Sequence, residues 1–234
     1  FWWTGVNRRH VERRAQRGEV LTRSGPGSDL AWSVVTKLLH RIWSVLFRWK
    51  PVRLDHEIPT PCVVIAAPHT SNWDFPAMLA SARMNDLDVK WLGKKEMFTG
   101  PFGPIFRRLG GVAVDRSSGG DLVGQMVDLL RENPDLMVVV PAEATRGKVD
   151  YWKSGFYRIA REAGVPIQLS YVDRATRSSG FGPSMLPTGN VSADMDLIRE
   201  FYADKEGIKA GRFSTPRLRE EDDPARAVGQ MPSP

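Results

Sequence analysis

Cys62-Val63-Val64-Ile65-Ala66-Ala67-Pro68-His69-Thr70-Ser71-Asn72-Trp73-Asp74 is an unbroken apolar run that ends in a histidine and, five positions later, an aspartate. Six apolar residues without alternation are the pattern of a strand buried on both faces, as in the parallel sheets of α/β folds. Such a strand delivers His69 and Asp74 to the edge of its sheet. Imidazole takes a proton from a hydroxyl near neutral pH, and a carboxylate on its other nitrogen fixes the tautomer and stabilises the imidazolium. The pair therefore reads as a general base and its orienting partner, while Ser71, Asn72 and Asp74 also suit the start of a helix over Phe75-Pro76-Ala77-Met78-Leu79-Ala80.

Other strand ends repeat the arrangement. Gly110-Gly111-Val112-Ala113-Val114-Asp115-Arg116 is a glycine pair, a short apolar run and an arginine where the run stops. Leu136-Met137-Val138-Val139-Val140-Pro141 leads at once into Ala142-Glu143-Ala144-Thr145-Arg146, and Val89-Lys90-Trp91-Leu92-Gly93 leads into Lys94-Lys95. Ligands of open α/β sheets bind beyond the carboxyl ends of the strands, so these ends are expected to share one site. Strands alternating with helical stretches predict a single α/β domain, a mostly parallel or mixed central sheet flanked by helices.

Taken together, these blocks resemble the glycerolipid acyltransferase family, the lysophosphatidic acid and lysophospholipid acyltransferases of the H-x4-D type. His69 and Asp74 match its first signature, Gly111 to Arg116 its second, Pro141-Ala142-Glu143-Ala144-Thr145-Arg146 its third, and Val165-Pro166-Ile167 its fourth. Order and spacing agree over roughly residues 30 to 210. The resemblance implies transfer of a fatty acyl group from acyl-CoA or an acyl-carrier protein to a hydroxyl of a glycerol-phosphate lipid precursor, with His69 as base and Asp74 holding it. It also implies that Arg116 and Arg146 grip the acceptor phosphate and that Glu143 and Thr145 complete the acceptor pocket. Lys94 and Lys95 add a basic element beside it, and the residues from Gly100 to Leu109 are a candidate lining for the acyl or phosphate channel. Two departures stand out. Ala144 replaces the glycine of the third block and Ala142 its proline; if the backbone at 144 needs a positive φ, alanine costs on the order of 1 kcal/mol there. Two alternatives stay open: the same chemistry on a non-phosphorylated acceptor (a sugar, an acylated amino acid or an acylglycerol), and a membrane-binding homologue without turnover.

Composition narrows the chemistry. Among 234 residues there is one cysteine, Cys62, inside the first strand, and four histidines without metal-ligand spacing, so neither a nucleophilic cysteine nor a metal site nor any other cofactor is expected beyond the thioester co-substrate. The net charge of +6 is concentrated at the amino end: residues 1–53 hold 11 Lys and Arg against 3 Asp and Glu, and the rest 22 against 24. A nucleic-acid protein would carry its positive charge on the folded domain, so no such partner is expected.

Residues 30–50 read as an amphipathic helix, with Trp32, Val35, Leu39, Ile42, Trp43, Leu46 and Trp49 on one side and Ser33, Lys37, His40, Arg41, Ser44 and Arg48 on the other. It carries too many charges to span a bilayer, and its tryptophans and basic residues suit the membrane interface, which places the protein at the cytoplasmic membrane surface. Residues 1–29, arginine-rich and opening on Phe1, are expected to be a disordered leader or a stretch translated upstream of the true start, without the apolar core of a signal peptide. The acyltransferase domain is expected over 51–211, and 212–234, rich in proline and charge, as a disordered tail.

Overall fold

The computed structural model describes residues 47–114 and 122–222, together with positions 34, 37, 38, 41, 42, 44 and 45. The chain divides into two compact units, 1–36 and 37–234. Of the first, Val34 is described, helical and exposed. The leader expected over 1–29 lies outside the described residues.

The second unit is built on seven strands: β1 (Lys50–Pro51), β2 (Cys62–Ala67), β3 (Val89–Lys94), β4 (Gly111–Val114), β5 (Met137–Val140), β6 (Ile167–Asp173) and β7 (Ser178–Met185). They form one sheet in the order β1-β7-β6-β2-β5-β3-β4. All neighbouring pairs are parallel except β6 and β7, which are antiparallel, so the sheet is mixed. Among the described residues, the helices that surround it after the amino-terminal one include α1 (Asp74–Met84), α2 (Lys95–Thr99), α3 (Gly103–Arg108), α4 (Leu122–Glu132), α5 (Gly155–Ala163) and α6 (Val191–Tyr202).

The apolar runs sit where both faces are covered. β2 lies at the centre between β5 and β6, and its residues alternate between two cores. Val63 and Ile65 join Val138, Leu130, Phe156 and Ile198 on the face packed by α4, α5 and α6. Cys62 and Val64 join Met137, Val139, Met78 and Leu79 on the face packed by α1. Burial on both sides is why these strands lack polar alternation. The Val165-Pro166-Ile167 block opens β6, where the Pro166 carbonyl accepts the Val63 N–H at 3.0 Å and so starts the β2–β6 pairing. Gly164, at φ +70°, closes α5 in a left-handed conformation that glycine adopts freely.

Two expectations about the ends are corrected. The described positions between 37 and 45 are helical, with Leu38, Ile42 and Val45 exposed, but Trp49 lies beyond the helix and is buried among Ala77 and Val172. Its indole N–H donates to Ser179 Oγ at 3.0 Å, a polar partner inside the fold that a membrane would not supply. At the other end, residues 213–222 are packed rather than disordered. Leu218 is fully buried, the Arg217 carbonyl accepts the Trp152 N–H at 2.8 Å, and the Trp152 indole donates to the Ser214 carbonyl. Leu218 and Phe213 give this otherwise polar stretch enough apolar surface to dock on the α5–α6 face.

Candidate active site

Because β2, β3 and β5 are parallel, their carboxyl ends emerge on one edge. β2 ends at Ala67, and Pro68 to Trp73 form the loop that leads into α1. Asp74 is the first residue of that helix, where the free N–H groups and the helix dipole favour a carboxylate. Its Oδ2 accepts the Thr70 N–H at 2.6 Å and the Ser71 N–H at 2.7 Å, which closes the loop on itself, and lies 3.3 Å from His69 Nδ1. With the Nδ1 proton turned to Asp74, Nε2 is left to accept a proton from a ligand. His69 is partly exposed and Asp74 buried, so the imidazole is the more accessible of the two.

Glu143 braces the loop from the other side. The turn after β5 buries its side chain, and Oε2 accepts the His69 N–H at 2.5 Å while Oε1 accepts the Ser214 N–H at 3.2 Å. Burial pushes its carboxyl up to about 7, against the pull of the two backbone donors. Expected in the acceptor pocket, Glu143 is spent on backbone instead: it ties His69 to the carboxyl-terminal segment. The next residue, Ala144, has φ +55°, the left-handed conformation that the missing glycine would adopt without a Cβ penalty. Thr145 and Arg146 follow, both exposed, and Arg146 Nη1 donates to Asn72 Oδ1, which holds the guanidinium beside the His69 loop.

Lys94 ends β3 and Lys95 begins α2 at the same edge of the sheet; both are exposed and neither lines the cavity described next. Arg116 lies outside the described residues. Cys62 is fully buried and its thiol is pushed up to about 12 by burial, as a core residue and not a nucleophile. Among the described residues no group of His, Cys, Asp and Glu is arranged to hold a metal.

A cavity of about 120 Å³ runs from His69 and Asp74 between α1 and the sheet. Its walls include Phe75, Met78, Trp91, Val139, Tyr171 and Phe181, so the polar end at His69 and Asp74 opens into an apolar interior. Trp91 is set by its edge-on contact with Phe75, 4.9 Å between ring centroids, and by its indole N–H, which donates to the Leu109 carbonyl at 2.9 Å. The Gly100–Leu109 stretch therefore supports the cavity through Trp91 without lining it. Neither the cavity walls nor Ser214 is legible as part of a site, because they come from the faces of separate elements far apart in the chain.

The family model of the acyltransferases, described as Acyltransferase, matches residues 51–170. The chain belongs to the acyltransferase family. Its fold is similar to the crystal structure of the 1-acyl-sn-glycerophosphate (LPA) acyltransferase PlsC from Thermotoga maritima, with a TM-score of 0.52 and 16% sequence identity over 83% of each chain. No curated protein matches the sequence.

Two expected outcomes follow for this acyltransferase's third block. Ala144→Gly relieves the left-handed alanine at an exposed position and should raise the unfolding free energy in urea by about 1 kcal/mol; no gain would mean that the strain is not carried there. For Glu143, the native carboxyl keeps its proton up to about 7 whereas the unfolded one loses it near 4.5, so between these values the native state binds more protons. Its contribution to stability should therefore decline as pH rises through that window. Thermal unfolding of wild type and Glu143→Gln from pH 4.5 to 8 should show the wild-type advantage shrinking and then levelling above 7, and an advantage that grows with pH would overturn the assignment.

Proposed function

We propose that this acyltransferase moves a fatty acyl group from a thioester, acyl-CoA or acyl-carrier protein, to the hydroxyl of a lysophosphatidic acid-like acceptor. The single observation that carries the reading is the His69–Asp74 pair at the polar end of an apolar cavity. In the proposed reaction His69 Nε2 takes the acceptor's hydroxyl proton as the oxygen attacks the thioester carbonyl. The tetrahedral adduct collapses, the carbon–sulfur bond breaks, and the imidazolium returns the proton to the departing thiolate. Asp74 holds the ring through Nδ1 and balances its transient charge. The apolar cavity suits the acyl chain, whose burial is favourable at roughly 0.8 kcal/mol per methylene. Arg146, already beside the loop, is the described cation best placed for the acceptor phosphate, since a guanidinium fork matches phosphate geometry. Arg116 is proposed for the same phosphate from the family's second block.

A membrane surface is the proposed place of work. No helix of the described residues is long and apolar enough to cross a bilayer. Leu38, Ile42 and Val45 form an exposed apolar stripe at helical spacing, flanked by Lys37 and Arg41, as an interfacial helix requires. Lys37 also ties that helix to the fold, with Nζ 2.5 Å from Asp86 Oδ1 beyond the end of α1.

The reaction is tested by release of free thiol from palmitoyl-CoA with lysophosphatidic acid as acceptor. Acceptor-dependent release should fall by about 10²–10⁴-fold in His69→Ala and by a comparable factor in Asp74→Asn. Release only with a neutral acylglycerol would move the reading to a non-phosphorylated acceptor, and no release with any acceptor or donor would favour the homologue without turnover. Membrane contact is tested separately by flotation with vesicles containing anionic lipid. Leu38→Glu with Ile42→Glu should lose the bound fraction, and retention would remove this helix from the interface.

A further inference from the structure

The residues that flank His69 do not all come from the acyltransferase blocks. On one side the Asn72–Arg146 contact holds the His69 loop, within the stretch that the family model matches. On the other side lies a segment well beyond it, residues 203–214, which crosses the carboxyl edge of the sheet and is fixed there at three points. The Glu206 N–H donates to Asp173 Oδ1 at 2.9 Å at the end of β6. The Lys209 N–H donates at 3.1 Å to Oγ1 of Thr70, the fully buried neighbour of His69. The Ser214 N–H donates to Glu143, whose other oxygen holds the His69 N–H. Packing at this crossing is close: a Cβ added to Gly207 would stand 2.3 Å from Thr70 Cγ2.

What the segment presents between its anchors is cationic. Lys205 is occupied, with Nζ 2.5 Å from Asp204 Oδ1 and over the rings of Tyr171 and Phe201. Lys209 and Arg212 are exposed, and neither pairs with a carboxylate among the described residues. Gly211 between them, at φ +70°, gives the bend that a residue with a side chain would resist. Two exposed cations on a backbone anchored to both supports of the catalytic histidine are placed to meet an anion that arrives with the substrates.

We propose that Lys209 and Arg212 form a second anion-binding arm of the active site, besides Arg146, which binds a phosphate of one of the two substrates. The inference rests on the proposed acyl transfer for the identity of those substrates, though not for the existence of the arm. Phosphate reaches this site from two sources, the acceptor's glycerol phosphate and the phosphates of coenzyme A, and each makes the same charge-assisted contacts with lysine and arginine. The arm acts on binding rather than on chemistry, because neither side chain belongs to the His69–Asp74 pair.

The test is the double variant Lys209→Gln, Arg212→Gln in the full chain, beside Lys209→Arg with Arg212→Lys, which keeps both charges, and Lys90→Gln at the opposite, amino edge of the sheet. KM is measured for lysophosphatidic acid and for monoacylglycerol, and for palmitoyl-CoA and for palmitoyl-N-acetylcysteamine, a thioester without phosphate. A rise of about tenfold in KM for one phosphorylated substrate, with kcat unchanged and the charge-keeping variant near wild type, supports the arm, and the substrate affected names the source. An equal rise for the phosphate-free counterpart, or no change for either phosphorylated substrate, overturns it. Titration calorimetry with coenzyme A and with glycerol 3-phosphate separates this from the failure of the proposed reaction. If the wild type turns over no acceptor but binds either probe, and the double variant binds it about tenfold more weakly, the reaction falls and the arm stands. Equal binding by both proteins, or no binding by the wild type, overturns the arm.

Discussion

A carboxyl group buried beneath the His69 loop is a costly thing to place, and Glu143 is placed there with its two oxygens on two backbone N–H groups, those of His69 and Ser214. Those donors lie 74 and 71 residues away from it in the chain. No local propensity brings them together; the parallel sheet does, by setting the ends of β2 and β5 side by side and letting the carboxyl-terminal segment cross above them. The His69 loop is thus held from below by Glu143, from within by the Asp74 carboxylate that collects the Thr70 and Ser71 N–H groups, and from the side by Lys209 on Thr70. Each of these three contacts is to backbone or to a buried hydroxyl, so none of them uses the imidazole Nε2.

The two faces of the sheet divide the labour. The face under α4, α5 and α6 carries the larger core, with Phe156, Tyr157, Tyr202 and Trp152 packed edge to face. Tyr157 donates to the buried Asp194 at 2.7 Å and Tyr202 to the Ser170 carbonyl at 2.7 Å, so the polar ends of these rings are satisfied inside. The face under α1 is sparer, and the space it leaves is the cavity. Close packing on one side permits incomplete packing on the other, because the sheet between them is fixed by the first.

The central strands were legible in the sequence because burial on both faces removes polar residues from them: Cys62–Ala67 and Met137–Val140 read as strands with no need of alternation. The start of α1 was legible from the capping residues before it, and His69 and Asp74 from their position after β2. β7 was not, since Ser178-Ser179-Gly180-Phe181-Gly182-Pro183-Ser184-Met185 has the composition of a loop and becomes a strand by pairing with β6 and β1. The packed segment after Arg212 was hidden for a related reason. Its prolines and charges are those of a tail, and the few residues that dock it, Phe213, Ser214 and Leu218, find partners that the sequence keeps at a distance. Glu143 was read by its place in a motif as a ligand to substrate, whereas its burial, which the motif does not encode, makes it a support.

The seat of the N-terminal helix and the wall of the cavity share one buried hydroxyl cluster. Trp49, just past that helix, donates to Ser179 Oγ, which donates in turn to the Ala77 carbonyl at 3.2 Å and lies 2.7 Å from Ser81 Oγ. Ser81 is on α1, the helix that begins with Asp74, and it lines the cavity. A shift of Trp49 would break its hydrogen bond to Ser179 or drag Ser179 from α1, so the helix that presents Leu38, Ile42 and Val45 is held in register with the wall of the cavity. At the exposed end of the same region Phe47 packs against Trp73 with the rings tilted, 5.1 Å between centroids, immediately before Asp74. Under the proposed reading, a lipid surface that meets the exposed stripe would meet this aromatic pair as well, and the contacts that hold the helix in place would then bring the proposed acceptor to the His69 loop.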